Sequence, residues 1–543
     1  MKRIIAFFLI LVISAGLLAG CGSGGGDAEE SGNSASSDGS RTLTIGIPQS
    51  SAISSYTKDN GFTDYLQEKA GIELKFYYFS STPSEYRQQL ALMCSANQEL
   101  PDVLLGISLE HYTMNQYGED GYFLDLTELI EKYADNYKKA LAALKETDPE
   151  VATYASEKVK NTNNGAIYGM PRVMPIATDS LQSLMHINKN WLDQLGLAVP
   201  TTLDELENVL QQFASNDLNG NGQNDEIAMI GGAGVRDYII NAFVYFQDTA
   251  FNVTDGKVWD PVYTDEFRQA LIYGNDLVKK GLYDSKSFTI TTNGELRNLI
   301  SPVNAPSKVG VFTGLSTVMT NVNSPAIGEF TVMPALADAT GKGGYMIIGE
   351  RQVDWSGFIT KDCEDPELAM KFLDLFYDDE TVSRQRHGVE GVDWVRYDGT
   401  NGSGTKSYVK QINSEAFFEG KSTWGGNMLG ILTDYNYLTV SEEAATERIA
   451  QTQRLVKETW DLMHAAREAE ERAVHLVYTP EEYSVREEKQ NLATTYLVEQ
   501  ITLFFAGEKD PSDDAQWNEF LDTLTGLGRK ELLDIAQHAY DRK

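Results

Sequence analysis

Ten residues, Asp217-Leu-Asn-Gly-Asn-Gly-Gln-Asn-Asp-Glu226, carry the most pointed chemical signal in the chain. Oxygen-bearing side chains fall at alternate positions, and Gly220 and Gly222 permit tight turns that can bring them round one point. A hard cation takes about six to eight oxygen ligands, and the opening follows the D-x-[DN]-x-[DN]-G spacing of calcium loops. That spacing asks for Glu at its twelfth position, where the chain has Ala228; Glu226, two residues earlier, can close the shell instead. The expected ligands are the side chains of Asp217, Asn219, Asn221, Asp225 and Glu226, with the Gln223 carbonyl, around a structural calcium. The bland alternative is a polar Asx-turn loop without metal.

A second set of residues suits a sugar. Sugars present flat C–H faces that pack on aromatic rings, and Trp355, Trp394 and Trp424 stand in Gly-rich, non-helical contexts. All three are expected as ligand platforms. Tyr56 follows the first expected strand, and Glu110, His111 and Tyr112 follow the third, at the carboxyl ends where open α/β sheets place ligands. Arg236-Asp237 after Gly231-Gly-Ala-Gly can hydrogen-bond hydroxyls or a carboxylate. For each residue taken singly, a solvated loop position is an equal alternative. Catalysis finds little support. The six histidines are scattered without metal spacing, and there is no Gly-x-Ser-x-Gly elbow, His-Glu-x-x-His, or phosphate loop ending in Lys-Ser/Thr.

The formal charge of −34 argues against nucleic acid or anionic lipid as partner. With 543 residues, several domains can be built. Cys94 and Cys363 are too few for a disulfide framework and are expected as free, mostly buried thiols. At the start, Lys2 and Arg3 precede an uncharged, mostly apolar run, Ile4–Gly20, which has the layout of a secretory signal and is too short and wrongly flanked for a spanning helix. Leu18-Ala-Gly-Cys21 resembles the lipobox of bacterial lipoproteins, which implies cleavage before Cys21 and lipidation of its thiol. Residues 21–40, Gly/Ser/Ala-rich, then form a flexible tether.

The elements that must hold these groups alternate. Strands are expected at Arg41–Ile47, Ile72–Phe79 and Pro101–Leu105, with helices at Tyr86–Ala96 and Thr127–Tyr137, which is the order of an α/β sheet. Leu181–Ile187 predicts a strand, and Asn190–Leu195 a helix closed by Gly196. Further helices are expected at Thr264–Lys280, Pro366–Tyr377, Ser441–Arg472, Pro480–Phe505, Ala515–Leu524 and Arg529–Arg542, and one begins at Thr201 or Thr202.

Local phrases then accumulate in order: Leu100-Pro-Asp-Val, Ile167-Tyr-Gly-Met-Pro171, Ile187-Asn-Lys-Asn-Trp-Leu-Asp-Gln-Leu-Gly-Leu197, Pro200-Thr-Thr-Leu-Asp-Glu205, Gly281-Leu-Tyr-Asp284, Gly388-Val-Glu-Gly-Val-Asp-Trp394 and Ala539-Tyr-Asp-Arg542. Together they resemble the extracellular solute-binding lipoproteins of carbohydrate importers driven by ATP-binding cassettes, in the branch of alginate-binding and LplA-like proteins. The chain departs from that pattern at Asn188-Lys-Asn-Trp-Leu192 and at Asp393.

The resemblance implies a two-lobed α/β fold of the periplasmic-binding-protein kind, with discontinuous lobes and a ligand cleft between them. The lobes implied are 41–172 with 353–390, and 173–352 with 391–543. Crossings fall near Pro171–Pro175, Ile347–Asp354 and Gly388–Trp394. It also implies a monomer that hands an oligosaccharide to permease subunits at the outer face of the cytoplasmic membrane, and a calcium shell closed by Glu226. Peptide capture or sensing is the second possibility and a glycan-active enzyme the third.

Overall fold

The computed structural model describes residues 41–49, 60–161, 163–174, 185–290, 293–314, 324, 326, 328–337, 343–345, 353–400, 406–412, 423–424, 428–432, 438–440, 471–473 and 475–542. Its strands are β1 (Arg41–Pro48), β2 (Ile72–Phe79), β3 (Val103–Leu109), β4 (Met170–Val173), β5 (Met185–Asn188), β6 (Ile227–Ile230), β7 (Asn252–Thr254) and β8 (Lys257–Trp259). They continue as β9 (Val309–Thr313), β10 (Phe330–Val332), β11 (Val353–Ile359), β12 (Trp394–Thr400), β13 (Lys406–Gln411), β14 (Gly430–Ile431), β15 (Leu438–Val440) and β16 (Glu471–Arg472).

Two sheets found two lobes. The first has the order β14-β4-β11-β3-β1-β2 and the second β10-β5-β9-β6. Central β3, Val-Leu-Leu-Gly-Ile-Ser-Leu, is apolar on both faces because helices cover both sides of its sheet. It pairs parallel with β1, Ile45 opposite Val103, and antiparallel with β11, Phe358 opposite Leu104. In the second sheet, β5 alternates its side chains between two cores. Met185 and Ile187 enter the main core of the lobe, while His186 stacks on Phe312 of the opposite face.

Helix termini follow from the chain's own chemistry. Thr202 Oγ1 accepts the N–H of Glu205 to open the helix Leu203–Ser215, which buries Leu206, Val209, Leu210 and Phe213 at helical spacing. Thr479 and Glu482 cap one another reciprocally at the start of the helix Pro480–Ala506, and Gly507 ends it at φ 82°. The single helix expected over Thr127–Tyr137 is two, Thr127–Tyr133 and Asp135–Thr147. The Asp374 carboxylate accepts the N–H groups of Asn136 and Tyr137, so tertiary capping starts a new helix there. Of the expected helix Ser441–Arg472, only Glu471 and Arg472 are described, and they form a strand against β7 instead.

The chain leaves the first sheet after β4, enters the second at β5, and is back in the first at β11. One expected boundary needs correction. Residues 423–424 and 428–432, expected in the second lobe with 391–543, pack with the first instead: β14 lies parallel to β4, with Ile431 opposite Val173, and Trp424, Leu429 and Ile431 sit in the first lobe's core. The reason is the edge of β4, whose backbone groups need a partner. Strands β12, β13 and β15 form a separate sheet. The last three helices complete the second lobe's core with Leu497, Phe504, Phe520 and Ala536. Cys94 and Cys363 are free and buried.

Candidate functional site: a cavity between the lobes

A cavity of about 350 Å³ lies where β3 ends. The first lobe contributes Glu110, Tyr112 and Trp355, and the second contributes Phe251, Tyr478, Tyr483 and Arg486. Ligand pockets of a few hundred Å³ lined by aromatic rings with a few placed polar groups are the usual form of a small-molecule site.

Contacts from lobe to lobe frame it. The rings of Tyr112 and Tyr483 stack with centroids 4.0 Å apart, and the Tyr483 hydroxyl lies 3.1 Å from Thr113 Oγ1. Arg486 donates to the Glu110 carboxylate at 2.5 Å and, through Nε, to Gln490 at 2.7 Å. In the wall, Arg529 lies against Phe251 and donates to Asp260 at 2.7 Å. Arg172 donates to the lining Asp354 at 2.6 Å. Burial lowers His111 to about 4, so its imidazole is neutral at neutral pH. His475, whose Nδ1 has no hydrogen bond, packs on Tyr154 with centroids 4.8 Å apart.

The expected site residues divide. Glu110, Tyr112 and Trp355 line the cavity together. Trp355 is only 2% exposed, its ring covered by His111 and Tyr154, so it forms wall more than open platform. Trp394 and Trp424 require correction. Trp424 is fully buried, donates to Thr63 Oγ1 at 3.0 Å, and packs edge-on against Phe62 and Phe76. Trp394 is 2% exposed and donates to the Gly388 carbonyl at 2.9 Å. Neither leaves a ring face for a sugar, because both indoles are almost wholly buried and each N–H already has a partner within the protein.

Arg236 and Asp237 do not line the cavity either. Arg236 donates to Asp237 at 2.6 Å and to Asp248 at 3.0 Å, and is itself buried. Burial, with Asp248 adding and Arg236 opposing, raises Asp237 to about 6. Tyr56 and Cys21 lie outside the described residues. The sequence reading missed Tyr483, Arg486, Tyr478 and Phe251. The only local signal was the Arg486–Gln490 spacing on one helix face, which ordinary surface helices share.

The Asp217–Glu226 loop lies apart from the cavity, on the second lobe. Asp217 accepts the N–H groups of Gly220, Asn221 and Gly222, and Asn221 Oδ1 that of Gln223. Gly220 and Gly222 hold φ of 72° and 79°, which a side chain would strain. Asp225 accepts from Asn219 and Asn221 and pairs with Lys308, the ammonium being the first cause of its depression to about 2. Glu226 takes the N–H groups of Leu218 and Asn219 on Oε1, while its Oε2 is buried without a partner. Such an orphaned carboxylate oxygen, among amide and backbone oxygens, fits a hard cation. Among the described residues no three His, Cys, Asp or Glu side chains converge as a metal cluster, so amide and carbonyl oxygens must supply part of any shell.

The chain belongs to the bacterial extracellular solute-binding protein family, whose model matches residues 49–382. Members of this family bind solutes; it is not a family of enzymes. One curated relative is the fructooligosaccharide ABC transporter substrate-binding protein FusA of Streptococcus pneumoniae, 26% identical over 330 residues, an alignment spanning 58% of this chain and only 56% of FusA. The fold is shared with an HMO-binding, ABC-transporter-associated solute-binding protein of Bifidobacterium longum infantis, at TM-score 0.71 and 19% identity over 93% of this chain and 99% of that one. It is shared also with a Streptococcus pneumoniae FusA EF-hand mutant in complex with fructo-nystose, at TM-score 0.70 and 21% identity over 92% and 99%. Among the described residues no helix is long and apolar enough to cross a membrane.

Proposed function

We propose that this protein captures an oligosaccharide in the cavity between its lobes and delivers it to a membrane permease powered by ATP. The observation that carries this reading is the cavity itself, with aromatic rings and hydrogen-bonding charges from both lobes meeting at the end of β3. FusA, a fructooligosaccharide transporter component, supports the ligand class. Glu110 and Tyr112 contact the sugar directly. Trp355 shapes the wall, and Tyr56 is a further sugar contact. The buried Arg236–Asp237 pair sets the position of Asp248 beside Thr249 and Ala250, which line the cavity.

Screening a glycan library by thermal shift tests the reading. A bound glycan at a hundredfold excess over Kd stabilises by about 2.7 kcal/mol, and a library in which peptides stabilise and no glycan does would replace it with peptide capture. The protein acts as a monomer, and lipid on Cys21 holds it at the outer face of the cytoplasmic membrane. Cys21→Ala should release it from the membrane fraction or stop its maturation; undiminished membrane retention of the variant would overturn the anchor. Calcium fits the Asp217–Glu226 loop, where the side chains named above and the Gln223 carbonyl would hold it. The EF-hand attributed to FusA agrees with this. When bound, the ion stiffens a loop remote from the cavity and takes no part in capture.

A further inference from the structure

The charges around the cavity point to the kind of oligosaccharide it accepts. Among the described residues, the buried or half-buried guanidinium groups that line the cavity, Arg486 and Arg529, face Glu110 and Asp260, and the lining Asp354 faces Arg172. Three guanidinium groups therefore meet three carboxylates, and their charges cancel. Arg87 also lines the cavity, but it is exposed at the rim and donates to the Ser108 carbonyl at 3.0 Å. Solvent and salt screen such a rim charge. Among the described residues no lysine lines the cavity.

Resting on the glycan reading, we propose that the cavity selects neutral oligosaccharides and rejects those bearing carboxylates, such as uronates. A carboxylate entering a partly dry cavity needs a charge-assisted bond from a guanidinium with capacity to spare. Here it must compete with a carboxylate already seated, or break a buried pair and strand its partner. Sugar hydroxyls meet no such conflict. A hydroxyl both donates and accepts, so it can give to Glu110 or Asp354 and receive from the N–H groups beside them without disturbing either pair. Glu110 and Asp354 are thus specificity-determining residues that act by keeping Arg486 and Arg172 occupied.

The test uses the full mature chain and matched probes in titration calorimetry at low and high salt. The neutral probes are fructo-, gluco-, galacto- and manno-oligosaccharides; the acidic probes are oligogalacturonates and oligomannuronates of equal lengths. The tightest neutral probe should bind at least about a hundredfold more tightly than any uronate. Glu110→Gln, which keeps the shape and frees a guanidinium, should gain about tenfold or more in uronate affinity, with the gain shrinking in high salt. Asp354→Asn provides the same test at the second pair should the first variant fail to fold. Uronates binding the parent chain as tightly as neutral glycans overturn the proposal while leaving glycan capture standing. Folded variants that gain no uronate affinity overturn the paired charges as its cause. Binding of no glycan of either kind overturns the glycan reading itself, and this proposal with it.

Discussion

His186 lies on β5 fully buried, stacked on Phe312 with ring centroids 4.8 Å apart, and neither ring nitrogen has a hydrogen bond. Burial lowers its pKa to about 3. The unfolded chain binds its proton near the ordinary value of about 6.5, so this histidine's contribution to stability is complete above that pH and is lost as pH falls towards 3. At ~1.4 kcal/mol per unit the full loss is on the order of 5 kcal/mol. His186→Phe retains the stack and removes the proton, so the melting temperature of the variant should fall less between pH 7 and pH 4 than that of the parent. Parallel curves would show that His186 does not drive acid unfolding. The same scale shows where single residues were misread. Gly-rich surroundings suggested open rings at Trp394 and Trp424, but glycine near an indole serves equally to let backbone approach it, and Trp394 donates to just such a glycine. Tertiary partners, absent from local composition, decide between the two.

At the scale of elements, the Asp217–Glu226 loop was legible because its chemistry is local. The donors, the left-handed glycines and the departure at the twelfth position are all visible in one line of sequence, and the loop folds as that line suggests. Its predicted ion is checked by melting the protein with calcium and with chelator. Binding only to the native state should raise stability by about 2.7 kcal/mol at a hundredfold excess over Kd. Asp217→Ala should erase the difference, since that carboxylate also anchors three loop N–H groups. Superimposable curves for the parent chain in calcium and chelator would remove the ion from the account. The helices were legible for a related reason: caps such as Thr202 and Thr479 bond within three residues of themselves. The break at Ala134 was not, because Asp374, far along the chain, makes it.

For the whole molecule, order and spacing of short phrases carried the family and its two lobes, while the cavity wall stayed out of reach. Tyr483 and Arg486 look like any helix surface until the fold sets them against Tyr112 and Glu110. The return of β14 to the first sheet has a further consequence, one of timing. Synthesis delivers the amino end first, so β4 leaves the ribosome with an unpaired edge, and its neighbour Gly430-Ile431 emerges only after β5, β6, β9 and β10. The second lobe in turn lacks much of its core until Leu497, Phe520 and Ala536 arrive. Neither lobe can mature while the other waits. Both close late, through contacts of long sequence separation, which makes folding slow and leaves an open β edge exposed meanwhile. A chain built this way completes neither lobe until nearly all of it is available.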